Sequence, residues 1–241
     1  MFWFKRKEVV VDFFTHVEKI NRAHPPRRAS AFMPDWWKTL GDYYEEPVLA
    51  IGKTKKTGTM KFCSGFRDLY GSGFIIPLWS DLDLYVSESN FNWVFPNKMS
   101  SATYHDLAQH NNSFPNYHHI KLICPWFAKE KTGVKFMYAE PSWSLIPFNG
   151  NIRVLPGVVS FDTQPSLNTN LFLRKAPQEY KLSLEANMPI AHLVPLTDKK
   201  VVLKTHVISE TEHTAIEKSN IATKFYKSYE TYRRSIKKCP R

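Results

Sequence analysis

Cysteine is scarce: Cys63, Cys124 and Cys239 are three in number and far apart. An odd, dispersed set builds neither a disulfide framework nor a CxxC metal site, and it fits a reducing compartment. Long apolar runs are missing too. None approaches the ~18–20 residues that cross a bilayer, so neither a spanning helix nor a membrane partner is expected. The opening Met1-Phe-Trp-Phe-Lys-Arg-Lys7 puts charge after only a few apolar residues, the reverse of a signal peptide. Secretion by that route is not expected. Catalytic signatures are absent as well: the sequence has no GxSxG, no HExxH, no GxGxxG and no GxxxxGK[ST]. No repeat of fixed period and no low-complexity segment occurs.

What is present is enough for a real core. The 241 residues are 43% hydrophobic and 15% aromatic, too rich for a disordered chain. The net charge of +11 is unevenly spread. Residues 218–241 hold eight bases against Glu230 alone, a net +7, which leaves +4 for the first 217 residues. The chain therefore reads as a mildly basic domain with a strongly basic end.

Residues 8–14 read as a strand, and 21–28, with Pro25-Pro26, as a loop. Trp36-Trp37 follows Pro34 and reads as a short helical turn. Segments 48–51 and 59–62 read as strands around a Lys/Thr/Gly turn at 52–58. Residues 64–73 suggest one or two helical turns capped by Ser64 and stopped by Gly71 or Gly73. Beyond them the texture is β. Pro77 makes 74–79 an edge or bulged strand, and 81–87 alternates polar with apolar residues. Short strands follow at 91–95, 119–124, 132–139, 152–155, 157–162, 169–173, 180–184, 190–194 and 201–208. Many short strands without intervening helices imply antiparallel pairing. The expected fold is mainly β: an antiparallel β-sandwich or jelly-roll-like (double-stranded β-helix) body spanning 1–208. Residues 1–47 would form an N-terminal strand and loop-rich arm packed on it.

Residues 210–238 contain neither Gly nor Pro, and Ile221, Phe225, Tyr229, Tyr232 and Ile236 make one apolar stripe. The expected element over 209–241 is a basic amphipathic helix capped by Thr211 or Ser209. Its bases Lys227, Arg233, Arg234, Lys237 and Lys238 are candidates for gripping nucleic acid or an acidic protein. A solvated outer face on a docked helix is the ordinary alternative.

His105, His110, His118 and His119 fall within one short stretch. A single divalent metal would take His105, His118 or His119 with a carboxylate such as Asp81, as β-barrel oxygenases take two histidines and one carboxylate. Tandem histidines point to opposite strand faces, so only one of the pair ligates. A polar loop with surface histidines is the ordinary alternative. Asp81 and Asp83 are placed on one strand face, where paired carboxylates hold a cation or simply face water. Trp36-Trp37, Trp79, Trp93 and Trp126-Phe127 offer stacking surfaces or core filling.

Several stretches together carry a family resemblance. They are Met1-Phe-Trp-Phe-Lys-Arg-Lys-Glu-Val-Val10, Met33-Pro-Asp-Trp-Trp-Lys38, the run from Cys63-Ser-Gly-Phe-Arg-Asp to Pro77-Leu-Trp-Ser-Asp81, Leu155-Pro-Gly-Val-Val-Ser-Phe-Asp162 and Met188-Pro-Ile-Ala-His-Leu-Val-Pro195. In this combination the chain resembles an uncharacterised protein family of tailed bacteriophages of marine bacteria. The resemblance implies a phage gene product, placed in the infected host's cytoplasm or in the virion, and brings no activity with it. The last stretch is also similar to closing strands of double-stranded β-helix proteins, a fold analogy only. The leading expectation is a non-enzymatic binding or structural module without a cofactor. It would dock a protein partner, or a copy of itself, through the basic helix. A mononuclear metal enzyme and a nucleic-acid-binding accessory protein are the alternatives.

Overall fold

Short apolar segments alternate buried and exposed side chains around a shared interior in the computed structural model, which describes residues 8–48, 53–97, 100–142, 150–162 and 164–219. The strands begin with β1 (Val9–Thr15), β2 (Arg27–Arg28), β3 (Tyr43–Val48), β4 (Lys53–Gly58), β5 (Phe74–Pro77) and β6 (Leu82–Val86). Next come β7 (Phe91–Val94), β8 (Ser101–Tyr104), β9 (Tyr117–Ile123), β10 (Phe127–Glu130), β11 (Lys135–Ala139) and β12 (Ile152–Val154). The last are β13 (Gly157–Ser160), β14 (Thr169–Arg174), β15 (Tyr180–Leu184), β16 (Pro189–Pro195) and β17 (Val201–Val207). Four α-helices, α1 (Glu18–Ala23), α2 (Asp35–Thr39), α3 (Ser64–Gly71) and α4 (Glu210–Ser219), and three 3₁₀ turns at Ala29–Phe32, Met60–Phe62 and Leu107–His110 accompany them among the described residues. The protein is mainly β. None of these helices is long and apolar enough to cross a membrane.

The strands form sheets ordered β10-β1-β17, β13-β11-β16-β5-β2, β12-β14-β9-β8, β15-β6-β7 and the lone pair β3-β4. Pairing is antiparallel except between β1 and β17, which run parallel from Val9↔Val201 to Thr15↔Val207. That pair corrects the purely antiparallel expectation. A parallel partner needs a long crossover, and here nearly the whole chain between the two strands supplies it. β1 thus lies in the middle of its sheet.

One core draws on every sheet but the lone pair. Phe13, Ile76, Leu84, Ile120, Phe136 and Leu171 are buried in it together with Trp126. A second, smaller core holds Ala29, Phe66, Tyr70 and Ile75. Neighbouring residues on β5 serve different cores: Phe74 and Ile76 the first, Ile75 the second. Because alternate side chains leave a strand on opposite faces, the five-stranded sheet is covered on both sides. The unbroken apolar run of β5 has its cause there.

Several local expectations need correction. Residues 21–23 close α1, which ends just before Pro25-Pro26, instead of opening a loop. The Lys/Thr/Gly stretch read as a turn is itself strand β4, and residues 60–62 are a 3₁₀ turn capped by Thr59. β4 buries almost nothing, so apolar alternation could not reveal it. Its register sets Glu45 opposite Lys56 and Glu46 opposite Lys55, and the Thr57 hydroxyl donates to Glu46 across the hairpin at 2.8 Å. At α3 the N-cap is Cys63 with no side-chain cap bond, not Ser64. β5 is an inner strand, and the irregularity beside it lies on its partner β16, whose register shifts between Pro189 and Ala191.

The C-terminal helix is described for Glu210–Ser219; the remainder of the expected helix lies outside the described residues. Its start shows why it begins where it does. Ser209 Oγ accepts the Glu212 N–H at 3.2 Å while Glu212 Oε2 accepts the Ser209 N–H at 2.9 Å, a reciprocal capping box. Ser209→Ala is expected to cost the first turn about 1 kcal/mol. Hydrogen exchange at residues 211–213 reads this directly. Unchanged rates there, against an unchanged body, would remove the cap from the account.

Candidate functional site

The histidines were the first candidates, and strand alternation sorts them. On β9, His118, Ile120 and Leu122 point into the core, whereas Tyr117, His119 and Lys121 take the outer face. β14 adds Phe172 to that outer face, opposite His119. His118 is 8% exposed and its Nε2 donates to the Ser87 carbonyl at 2.9 Å, with the Phe91 ring 4.8 Å away. The tandem pair therefore splits, as alternation requires.

The segment after β8 folds over the outer face. Asp106 Oδ1 accepts the Ala108 N–H at 2.7 Å and starts a 3₁₀ turn, after which Asn111 and Asn112, both left-handed, reverse the chain. Only residues that tolerate this region without a large penalty fit there. The fold-over stacks His105 on His119 at 4.2 Å and brings His110 to 6.0 Å from His119. Phe114 packs on Phe172 at 4.7 Å. His105 engages Gln109 Oε1 through Nδ1 at 2.5 Å and Asn170 Oδ1 through Nε2 at 3.1 Å. Burial pushes the His119 ring down to about 4, with the charges of His105 and His110 adding to the effect. Three imidazoles thus form one packed cluster, His105 and His110 each in ring contact with His119.

Asp81 belongs elsewhere. It lies outside β6, and its Oδ1 accepts the Ala186 N–H at 2.8 Å. Asp83 accepts from Ser183 Oγ at 2.7 Å and pairs with Lys181 at 2.9 Å. The two carboxylates are engaged separately with the turn before β16 and with β15. The proposed ligand set of His105, His118, His119 and Asp81 is therefore not brought to one point. Among the described residues no group of three or more His, Cys, Asp or Glu is disposed to hold a metal. His110 is the cluster member that strand reasoning left in a loop; its approach to His119 depends on the Asn111-Asn112 reversal.

Other chemistry-bearing groups have structural occupations. Glu130 is 1% exposed, and its oxygens accept the Thr132 N–H at 2.6 Å and the Val134 N–H at 3.0 Å, closing the turn between β10 and β11. Complete burial pushes the Cys124 thiol up to about 12, so it stays protonated and unreactive. Tyr138 donates to the Leu167 carbonyl at 3.2 Å inside the core.

A groove of about 650 Å³ runs between α4 and β10, lined by Phe14, Phe127, Phe161, Pro165 and Ile216. Beside it the His213 ring packs 4.2 Å from His16 and 4.5 Å from Phe127, which pins the helix start to the body. The bases Lys227, Arg233, Arg234, Lys237 and Lys238 lie outside the described residues.

The large exposed aromatics concentrate somewhere the sequence reading did not single out. Tyr43, Tyr44 and Phe62 are each about half exposed, on or beside the lone hairpin, with Trp36 and Met60 near them in sequence. The available signal was Tyr-Tyr-Glu-Glu followed at hairpin spacing by Lys-Thr-Lys-Lys. No protein-family model matches the chain, and comparison with curated proteins returns no match.

Proposed function

We propose that the protein is a non-catalytic, phage-type binding module: a sandwich of jelly-roll kind, acting in the infected cell or the virion, that docks an acidic protein through its basic C-terminal segment. The uneven charge carries this reading, since residues 218–241 hold +7 of the total +11. A domain that used its whole surface on a polyanion would spread its bases. Two further observations support it. The helix that leads into the basic segment is capped by Ser209 and pinned through His213. Of the histidines of the metal reading, His105 and His118 are engaged by bonds within the protein, while His119 is packed against the His105 ring.

The test keeps the chain whole and neutralises the five candidate bases, as Lys227→Gln, Arg233→Gln, Arg234→Gln, Lys237→Gln and Lys238→Gln together. Fluorescence anisotropy with poly-L-glutamate and with a DNA duplex, at low and moderate salt, supplies the readout. The expected result is acidic-polypeptide binding that weakens at least about tenfold in the variant, with an unchanged Tm. Equal binding by both forms overturns the proposal. Preference for the duplex with a steep salt dependence overturns it too, in favour of a nucleic-acid accessory role.

A further inference from the structure

The β3–β4 hairpin lacks the support that two strands ordinarily need. An isolated pair is marginal in water, and a third strand or a packed layer normally stabilises it. Among the described residues this pair joins no other sheet. Residues 43–47 are exposed throughout, and of residues 54–58 only Thr57 is partly covered. Its backbone ladder and the Thr57 hydroxyl donating to Glu46 at 2.8 Å hold the register, which does not replace a missing layer.

The edges are guarded and the faces are not. Pro47 has no N–H to offer a neighbouring strand, and β4 carries Lys55 and Lys56; both devices discourage strand addition. Alternation puts Tyr43 and Glu45 on one face with their partners Gly58 and Lys56. Phe62 closes on Tyr43 at 5.3 Å, and the Lys56 ammonium sits 4.8 Å over the same ring. Gly58 leaves the room this needs, because a Cβ there would lie 3.0 Å from the Phe62 ring. Exposed aromatics gathered on a projecting element mark a contact surface.

Charge selects the occupant. Residues 35–62 contain the bases Lys38, Lys53, Lys55, Lys56 and Lys61 and the acids Asp35, Asp42, Glu45 and Glu46. Such a mixed patch has no net field to draw a polyanion or a polycation. A two-fold copy of the same patch, however, can set each sign against its opposite. We propose that the hairpin face bearing Tyr43 and Phe62 is a self-association surface, seated against the same face of a second copy of this chain. This surface is separate from the basic C-terminal segment and stands or falls without it.

Sedimentation equilibrium on the full chain tests the inference. Wild type is expected to associate reversibly to a dimer, and Tyr43→Ser with Phe62→Ser to weaken that association at least about tenfold with no loss of Tm. The variant neutralised at its C-terminal bases is expected to dimerise like wild type, which separates this surface from the proposed docking segment. A wild-type chain that stays monomeric up to about 100 μM overturns the proposal, because a contact weaker than that supplies under about 5.5 kcal/mol. Dimerisation unaffected by the double change also overturns it. Should that variant misfold, Glu45→Lys with Glu46→Lys, at two exposed positions, must weaken association by a similar factor, and failure to do so counts against the proposal equally.

Discussion

Alanine in place of Gly73 is expected to cost about 4 kcal/mol or more, most of the stability of an ordinary domain. Gly73 joins α3 to β5 and has a φ of +73°. An L-residue held in that left-handed region costs roughly 1–2 kcal/mol by itself. Space makes the larger contribution. A Cβ at Gly73 would stand 2.0 Å from the Leu193 carbonyl oxygen and 3.0 Å from the Pro195 ring, and neither is the free end of a flexible side chain. Relief requires β5 and β16 to part where Phe74 faces Leu193. Parting them disturbs the Ala29 N–H bond to the Gly73 carbonyl at 3.2 Å and the His192 bond to the Ser72 carbonyl at 3.1 Å. Both cores meet at this strand, so the damage reaches both.

Gly71 provides the internal control. It lies two residues away, at the end of α3, and a methyl group added there would meet nothing within 4 Å. Gly71→Ala is expected to be neutral or to stabilise by up to about 1 kcal/mol, since alanine is the better helix former. Urea unfolding of the two variants distinguishes steric exclusion from a general need for glycine. Equal midpoints for both would show that the close approach of β16 is not what Gly73 serves.

Gly73 also shows where sequence reading stops. Gly71-Ser-Gly73 was legible as the end of a helix, and α3 does end there. That the second glycine admits Leu193 depends on a pairing made between residues 120 apart. The same division runs through the fold. Strand β6 was legible because one face is buried, so apolar period and burial coincide, and β14 and β16 because each buries a continuous apolar run. β4 was not, because among the described residues almost nothing buries it, so no apolar period marks it. The β1–β17 pairing was beyond reach for a different reason: two β-branched strands of seven residues each fit many partners, and topology alone decides among them.

The candidate site divides in the same way. Strand alternation correctly put His118 and His119 on opposite faces. It could not bring His110 over the sheet, since that needs two consecutive left-handed asparagines. Nor could it show that Asp81 is engaged by the Ala186 N–H. Composition located the basic segment, but exposure of Tyr43, Tyr44 and Phe62 emerges only once the hairpin is seen to stand without a third strand.

Acid is expected to unfold the protein well above the pH range where carboxylates titrate. Burial lowers the pKa of His24, His118, His119, His192 and His213, and His119 falls to about 4. Each ring is therefore neutral in the folded chain at a pH where the unfolded chain, with its ordinary value near 6.5, takes up a proton. Stability is fully present above about pH 7.5 and falls as pH drops through 6.5 towards each folded value. His118 and His192 are 8% and 1% exposed, with their Nε2 atoms donating to the Ser87 and Ser72 carbonyls. While a ring stays neutral in the folded chain, it lowers stability by at most about 1.4 kcal/mol per pH unit below 6.5. The more exposed rings add less because water screens them. Asp35, Asp83 and Glu212 act in a separate window: hydrogen bonds to Lys38, Ser183 and Ser209 lower their pKa values, and that stability is lost only as pH falls below about 4. Urea midpoints measured from pH 7.5 to 5 should fall continuously. His192→Gln keeps a donor for Ser72 but cannot take a proton there, so its slope is expected to be shallower by about one proton. A midpoint that stays flat across that range, or a slope that His192→Gln leaves unchanged, would mean that these rings are already charged in the folded chain.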